Sequence, residues 1–235
     1  MKARTALVTG ASKGIGRAIA KRLLDAGWRI IGLSRGTDAT LSKHARFRTV
    51  HTDLLDPNAL DTATREILNS ETGLDTLISC AGAGRFGSLE QHANRHILDI
   101  LQLNLNAHIL IARQLLPVFK TQGRGDLLFI GSEVALRGGR FGSVYAAAKT
   151  GLRGFTRALR KETANAGIRI MLINPGMTRT GFYHQTGFTP GDDTDNALLP
   201  RQIADAAWLA LGSKQNCVFD EIDLTPLKRV VKKQR

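Results

Sequence analysis

Tyr145 and Lys149 stand four residues apart in the segment YAAAK. The surrounding pattern, Ser143 to Asn165, predicts a helix, so the phenol and the ammonium share one face. A phenol ordinarily titrates near 10 and is a poor base at neutral pH, but a neighbouring ammonium favours its ionised form. Such a pair can move a proton to or from an oxygen atom. Ser132 lies thirteen residues before Tyr145, just past the predicted strand Leu127 to Ile130. That is the carboxyl edge, where open α/β sheets bind ligands. Asn104 falls in the middle of the long helical segment that precedes this strand.

A second group of residues suits a phosphate. TGASKGIG, Thr9 to Gly16, joins the first predicted strand to the first predicted helix and contains Gly10, Ser12, Lys13, Gly14, Ile15 and Gly16. Its glycines let the chain turn sharply and let a phosphate approach backbone N–H groups at a helix N-terminus. The second strand ends in Ser34-Arg35, where a fold that binds NAD ordinarily carries an acid for the ribose 2′-hydroxyl. No acid stands at that strand end, and Arg35 and Lys13 are both placed to meet a 2′-phosphate. The sequence therefore favours NADP(H) over NAD.

The elements that would position these residues alternate along the whole chain. Strands are expected at Thr5–Val8, Arg29–Leu33, Phe47–Thr52, Asp75–Cys80, Leu127–Ile130, Ile168–Ile173 and Val218–Leu224. Between them, helices are expected at Ile15–Ala26, Ala59–Leu68, about His92–Thr121, Ser143–Asn165 and Pro200–Leu211. The long helix carries Leu98, Leu101, Leu105 and Ile109 on one side, and 177–199 has no period and reads as a loop. Seven strands alternating with helices predict an α/β fold: one doubly wound domain, a seven-stranded parallel sheet with helices on both faces.

Composition bounds the remaining possibilities. The chain has 235 residues, 43% hydrophobic, enough for a sizeable core. No apolar run approaches the roughly 18 residues that span a bilayer, and MKARTALVTG reads as the start of a strand rather than a secretory leader, so a cytoplasmic location is expected. Two cysteines, Cys80 and Cys217, exclude a disulfide framework or a cysteine-rich zinc module, and no metal is expected. The net charge is +13, and five basic residues fall in the last nine, LKRVVKKQR, which read as a solvated tail. No basic run interleaved with aromatics is present, which argues against nucleic acid.

Taken in order, these pieces resemble the short-chain dehydrogenase/reductase family over essentially the whole chain. They are TGASKGIG, Asp53-Leu54 after the third strand, Ala81-Gly82 after the fourth, Asn104, Ser132, Tyr145-Ala-Ala-Ala-Lys149, and Pro175-Gly176-Met177-Thr178 after the sixth. The resemblance implies a Rossmann fold and hydride transfer between the nicotinamide of NADP(H) and a carbonyl or alcohol carbon. It implies that Tyr145 is the general acid in reduction, and that Lys149 favours the phenolate and holds the nicotinamide ribose. Ser132 would bind the substrate oxygen, and Asn104 would support a water relay to Lys149. Asp53 and the Leu54 backbone would meet the adenine, and Pro175, Gly176 and Thr178 the carboxamide. The chain departs from the family at Cys80, where the usual residue is an Asn that helps fix the local backbone. Cys80 reads as a small apolar filler.

Substrate contacts in such proteins come from three segments, which here contain Arg85, Phe86, Arg137, Arg140, Arg179, Phe182, Tyr183 and His184. The arginines suit an anionic substrate or an acidic carrier protein. The leading reading is an NADPH-dependent reductase of a small carbonyl compound, or the reverse dehydrogenase. The alternative is a 3-oxoacyl-thioester reductase, with substrate bound to acyl-carrier protein or CoA. A different class of function, a basic NADP-binding module docking on nucleic acid or an acidic protein, rests only on the charge and the tail. The resemblance also implies a homo-oligomer, a dimer or a tetramer built through the helices around Leu105 and Leu152.

Overall fold

Short β-branched and leucine-rich runs form the strands because they are covered on both faces and need no polar side. The structure, a computed structural model, describes residues 4–213 and 216–233. Its strands are β1 (Thr5–Thr9), β2 (Arg29–Ser34), β3 (Phe47–His51), β4 (Leu74–Ser79), β5 (Gly125–Ile130), β6 (Ile168–Pro175), β7 (Phe188–Pro190), β8 (Glu221–Leu224) and β9 (Val231–Lys233). Seven of them make one sheet in the order β3-β2-β1-β4-β5-β6-β8, all pairs parallel. The order reverses between β1 and β4, and this opens the crevice in which such sheets bind ligands.

Helices α1 (Gly14–Asp25), α2 (Pro57–Ser70), α3 (Asn94–Leu101), α4 (Ala107–Gln122), α6 (Ser143–Glu162) and α7 (Pro200–Gly212) fall in the expected segments, and a short α5 (Val134–Arg137) is additional. Asp56 starts α2 by accepting from the Asn58 and Ala59 N–H groups, with Pro57 in the first turn. One core lies between the sheet and α2, α4 and α6, built on Leu60, Ile67, Ile111, Leu115, Phe119 and Leu152. The opposite core sets Ile19 and Leu23 of α1 against Ile203 and Ala207 of α7. Each such large side chain contributes about 1.5–3 kcal/mol by leaving water. Leu152 is buried within the chain itself, and Leu105 packs on Gly151.

Two expectations are corrected. The long helix is not uniform: Gln102–Asn106 is a π-helical turn between α3 and α4. An extra residue in one turn rotates the rest of the helix, and the expected stripe holds only in part: Leu101 and Leu105 pack on core clusters, whereas Leu98 does not. Leu98 is 65% exposed, and the buried stripe is His108, Ile111, Leu115 and Phe119. Second, 177–199 is not structureless. It contains a short 3₁₀ turn, Gly181–Gln185, and strand β7. The basic tail, expected to be solvated, is exposed from Leu227 to Lys233 and is also paired: β9 runs antiparallel to β7, placing Lys233 opposite Phe188 and Val231 opposite Pro190. Arg235, the last of its five cations, lies outside the described residues. The final strand of the main sheet also begins at Glu221 rather than Val218. Among the described residues no helix is long and apolar enough to cross a membrane.

Candidate active site

The turn from β1 to α1 is built by its glycines. Gly10 and Gly14 adopt φ of +71° and +59°, which side chains with a Cβ resist. A Cβ on Gly16 would lie 2.5 Å from the Gly10 carbonyl oxygen, so α1 begins pressed on the preceding backbone. Thr9 holds the neighbouring strand end. Its Oγ1 accepts from the Cys80 N–H at 2.9 Å and the Ala81 N–H at 3.0 Å. This anchors the β4 backbone without the family's asparagine. Burial pushes the Cys80 thiol up to about 12, so it is neutral and fills space.

Around this turn lies a cavity of about 730 Å³. Gly10, Ser12, Lys13, Gly14, Ile15 and Gly16 line it from the turn, Ser34 and Arg35 from the end of β2, Asp53 and Leu54 from the end of β3, and Cys80, Ala81 and Gly82 from the end of β4. Lys13 and Arg35 are exposed at its rim. Asp38, the first acid beyond β2, is already engaged: it accepts from the Thr40 and Leu41 N–H groups and pairs with Arg17 at 2.5 Å. Asp53 accepts from the Leu55 N–H at 3.0 Å and stands 3.9 Å from Arg35. A glycine cradle too tight for a Cβ and a helix N-terminus fit the phosphates of a dinucleotide, and two cations stand at the rim.

A second cavity, of about 670 Å³, opens beside the first, and the two share Ile15, Cys80, Gly82, Thr180 and Phe182. Ser132, Tyr145, Lys149, Pro175, Gly176 and Thr178 line it together. Tyr145 is 7% exposed, and its phenol is raised above its ordinary value by burial, offset in part by a hydrogen bond with Ser132. Lys149 donates to the Ile130 carbonyl at 2.9 Å, and burial lowers it to about 8. It therefore keeps its charge at neutral pH. Thr178 Oγ1 donates to the Gly176 carbonyl at 2.9 Å, which fixes the turn after β6.

Asn104 lines neither cavity. It lies fully buried in the π-helical turn, where its Nδ2 donates to the Ala83 and Ile100 carbonyls, each at 2.9 Å. A side chain that bonds the carbonyl four residues back competes with the helical ladder, and this accounts for the π turn at this point. Its Oδ1 has no partner and would lie 2.8 Å from a Cβ on Gly82, just below the floor near Lys149.

One turn later sits His108, which no sequence motif marks. It is 1% exposed, and its Nδ1 meets Ser79 Oγ at 2.7 Å. Burial, then the Lys149 charge, lowers it to about 3. The unfolded chain takes up a proton below about 6.5, whereas the folded chain refuses it down to about 3, so stability falls with pH through that window. Between pH 6.5 and 5 the loss is about 2 kcal/mol. Urea midpoints at pH 7 and pH 5 are expected to fall less for His108→Leu than for the parent; equal falls would remove this account.

Above Tyr145 the walls are aromatic. Phe86 packs tilted against Tyr145 at 5.6 Å between ring centres, and edge-to-face against Phe182 at 6.3 Å and Phe188 at 4.9 Å. Of the residues expected near the mouth, Phe86, Arg137, Arg140, Phe182 and Tyr183 line this cavity, and His184 lines the cofactor cavity. Arg85 and Arg179 line neither. Arg85 bonds to the His96 ring, and Arg179 donates to the carbonyls of Gly191, Asp192 and Asp193. Glu133, Phe188, Arg229, Val231 and Lys233 also line this cavity and were not foreseen; the last three reach it because the tail pairs with a strand some forty residues earlier.

Comparison with known proteins places this arrangement. Residues 4–189 match the sequence profile described as short chain dehydrogenase. Carbonyl reductase family member 4 of Xenopus laevis is 30% identical over 196 residues, covering 82% of this chain and 81% of that protein. The 3-oxoacyl-(acyl-carrier-protein) reductase of Escherichia coli K12 is 31% identical over 181 residues, covering 75% and 74%. A solved structure of an alcohol dehydrogenase from the archaeon Thermococcus sibiricus, complexed with 5-hydroxy-NADP, superposes with a TM-score of 0.87 at 25% identity. It covers 97% of this chain and 99% of that one.

Proposed function

The chain belongs to the short-chain dehydrogenase family, a family of oxidoreductases, and on that premise we propose that it is an NADPH-dependent reductase of a small carbonyl compound. The observation that carries the reading is the convergence of Ser132, Tyr145 and Lys149 on one cavity that opens into a glycine-cradled cofactor cavity. When bound, the nicotinamide supplies a hydride to the carbonyl carbon. As that carbon is reduced, its oxygen gains negative charge and needs a proton.

Tyr145 supplies the proton. Its raised phenol is fully protonated at neutral pH, as a donor must be. Ser132 holds the substrate oxygen beside it. Lys149 stabilises the phenolate left behind by its charge, and its bond to the Ile130 carbonyl keeps the ammonium in place. Asn104, with one free oxygen beneath Gly82, supports the water that reprotonates this pair. Phe86 and Phe182 exclude bulk water above Tyr145, which strengthens each of these interactions.

Arg35 and Lys13 select the phosphorylated cofactor, supported by the engagement of Asp38 elsewhere. A hydrogen bond to a charged group is worth about 1.5–3 kcal/mol, so Arg35→Ala is expected to weaken NADPH binding about 10- to 100-fold and leave NADH binding unchanged. Fluorescence titration of both cofactors reads this, and an equal loss for both would contradict it. A second reading, reduction of a 3-oxoacyl thioester, is favoured by the likeness to the Escherichia coli enzyme. NADPH consumption with a panel of ketones, aldehydes, oxo acids and acetoacetyl-CoA tests both readings, and no consumption with any of them would refute the proposed activity.

A further inference from the structure

The described cations of the C-terminal segment fall into two sets, with Lys232 and Lys233 in β9 and Lys228 and Arg229 just before it. The even-numbered ones face the preceding loop. Lys228 pairs with Asp195 at 3.2 Å, and Lys232 pairs with Asp192. The odd-numbered residues Arg229, Val231 and Lys233 line the substrate cavity. Backbone bonds fix this arrangement, since Gly191 N–H donates to the Val230 carbonyl and Lys228 N–H donates to the Asp195 carbonyl, each at 2.9 Å. The segment is thus a docked wall, not a dangling tail.

Charge in the cavity is unbalanced. Apart from Lys149, its lining holds Arg137, Arg140, Arg229 and Lys233 against a single carboxylate, Glu133. Arg229 already neutralises Glu133 at 3.5 Å. Arg140 is stacked over Phe141 at 4.8 Å. Among the described residues, Arg137, Arg140 and Lys233 have no carboxylate within salt-bridge distance. Three cations without a carboxylate partner, lining a cavity whose body is phenylalanine and valine, suit a ligand with an apolar middle and an anionic end. The wall also touches the chemistry: Phe188, opposite Lys233 in the ribbon, packs against Phe86, which packs against Tyr145.

We propose that the β7–β9 ribbon is the substrate-selecting wall of this site. Lys233, with Arg137 and Arg140, receives the carboxylate of an oxo acid whose ketone faces Tyr145. This assignment rests on the reductase reading of the same site. It makes the basic tail a specificity element rather than a handle for nucleic acid.

The test uses the full chain with NADPH and two matched pairs, benzoylpropionate and benzoylbutyrate with their methyl esters. The acids are expected to exceed the esters in kcat/KM by about tenfold, through KM, and to lose that advantage as ionic strength rises. Lys233→Glu, at an exposed position, is expected to abolish the preference, lowering kcat/KM for the acids about tenfold more than for the esters. Equal kcat/KM for acid and ester in the parent, or an equal loss for both in Lys233→Glu, would overturn the assignment. Equilibrium dialysis of acid and ester against the NADP⁺ complex separates the two claims. Tighter acid binding that Lys233→Glu removes, with no turnover, would leave the wall standing and sink only the reductase reading. Equal binding of acid and ester would sink the wall.

Discussion

Tyr145→Phe is expected to lower kcat by about 10²- to 10⁴-fold, the usual contribution of a positioned proton donor. NADPH affinity should stay within about twofold of the parent, because the phenol lines the substrate cavity and not the phosphate cradle. The fold should also tolerate the change. A phenylalanine ring keeps the contacts of Tyr145 with Phe86 at 5.6 Å and Phe182 at 5.8 Å and gives up only the hydroxyl. Steady-state turnover and cofactor titration on the same preparation separate chemistry from binding. Turnover within tenfold of the parent would show that another group delivers the proton.

Gly16→Ala is expected to damage the cofactor cradle rather than the chemistry. Its new Cβ would meet the Gly10 carbonyl oxygen at 2.5 Å and the Gly10 carbonyl carbon at 2.9 Å, so backbone must move on one side or the other. Overpacking of this kind costs about 1–3 kcal/mol, which corresponds to NADPH binding weaker by about 10- to 100-fold if the cost falls on the bound form. Gly154→Ala is the control. A Cβ there meets nothing within 4 Å, and an alanine inside α6 is expected to raise stability by about 0.5–1 kcal/mol. Thermal melts with and without NADPH read both variants. A Gly16→Ala protein with the parent's NADPH-induced stabilisation would remove the argument from the cradle.

The sheet and its order of elements were legible because parallel strands covered on both faces are continuous apolar runs, such as Leu127 to Ile130. The glycine turn was legible because its residues are local in sequence, and Tyr145 and Lys149 because one helical face joins them. The features that escaped were non-local or depended on a single side chain. The π turn follows from Asn104 bonding two carbonyls, one of them from Ala83 in another segment, and no periodicity announces that. The expected leucine stripe held only in part, since Leu101 and Leu105 pack on core clusters while Leu98 is exposed. His108 was invisible because it lies among apolar residues in the sequence, and only the fold brings it beside Ser79. Arg179 was expected at the mouth and instead ties a loop, whereas Arg229, exposed as expected of the tail, also meets Glu133 at the cavity.

Direct hydride transfer to a carbonyl, with proton delivery from Tyr145, is the central chemical step. Its most direct test is NADPH carrying deuterium at the transferable C4 position, incubated with the ketone and oxo-acid panel, with the products read by mass spectrometry. The expected product is an alcohol with one deuterium on the former carbonyl carbon, formed by the parent and almost lost in Tyr145→Phe. NADPH that binds tightly yet yields no labelled alcohol with any of these carbonyl compounds would contradict it.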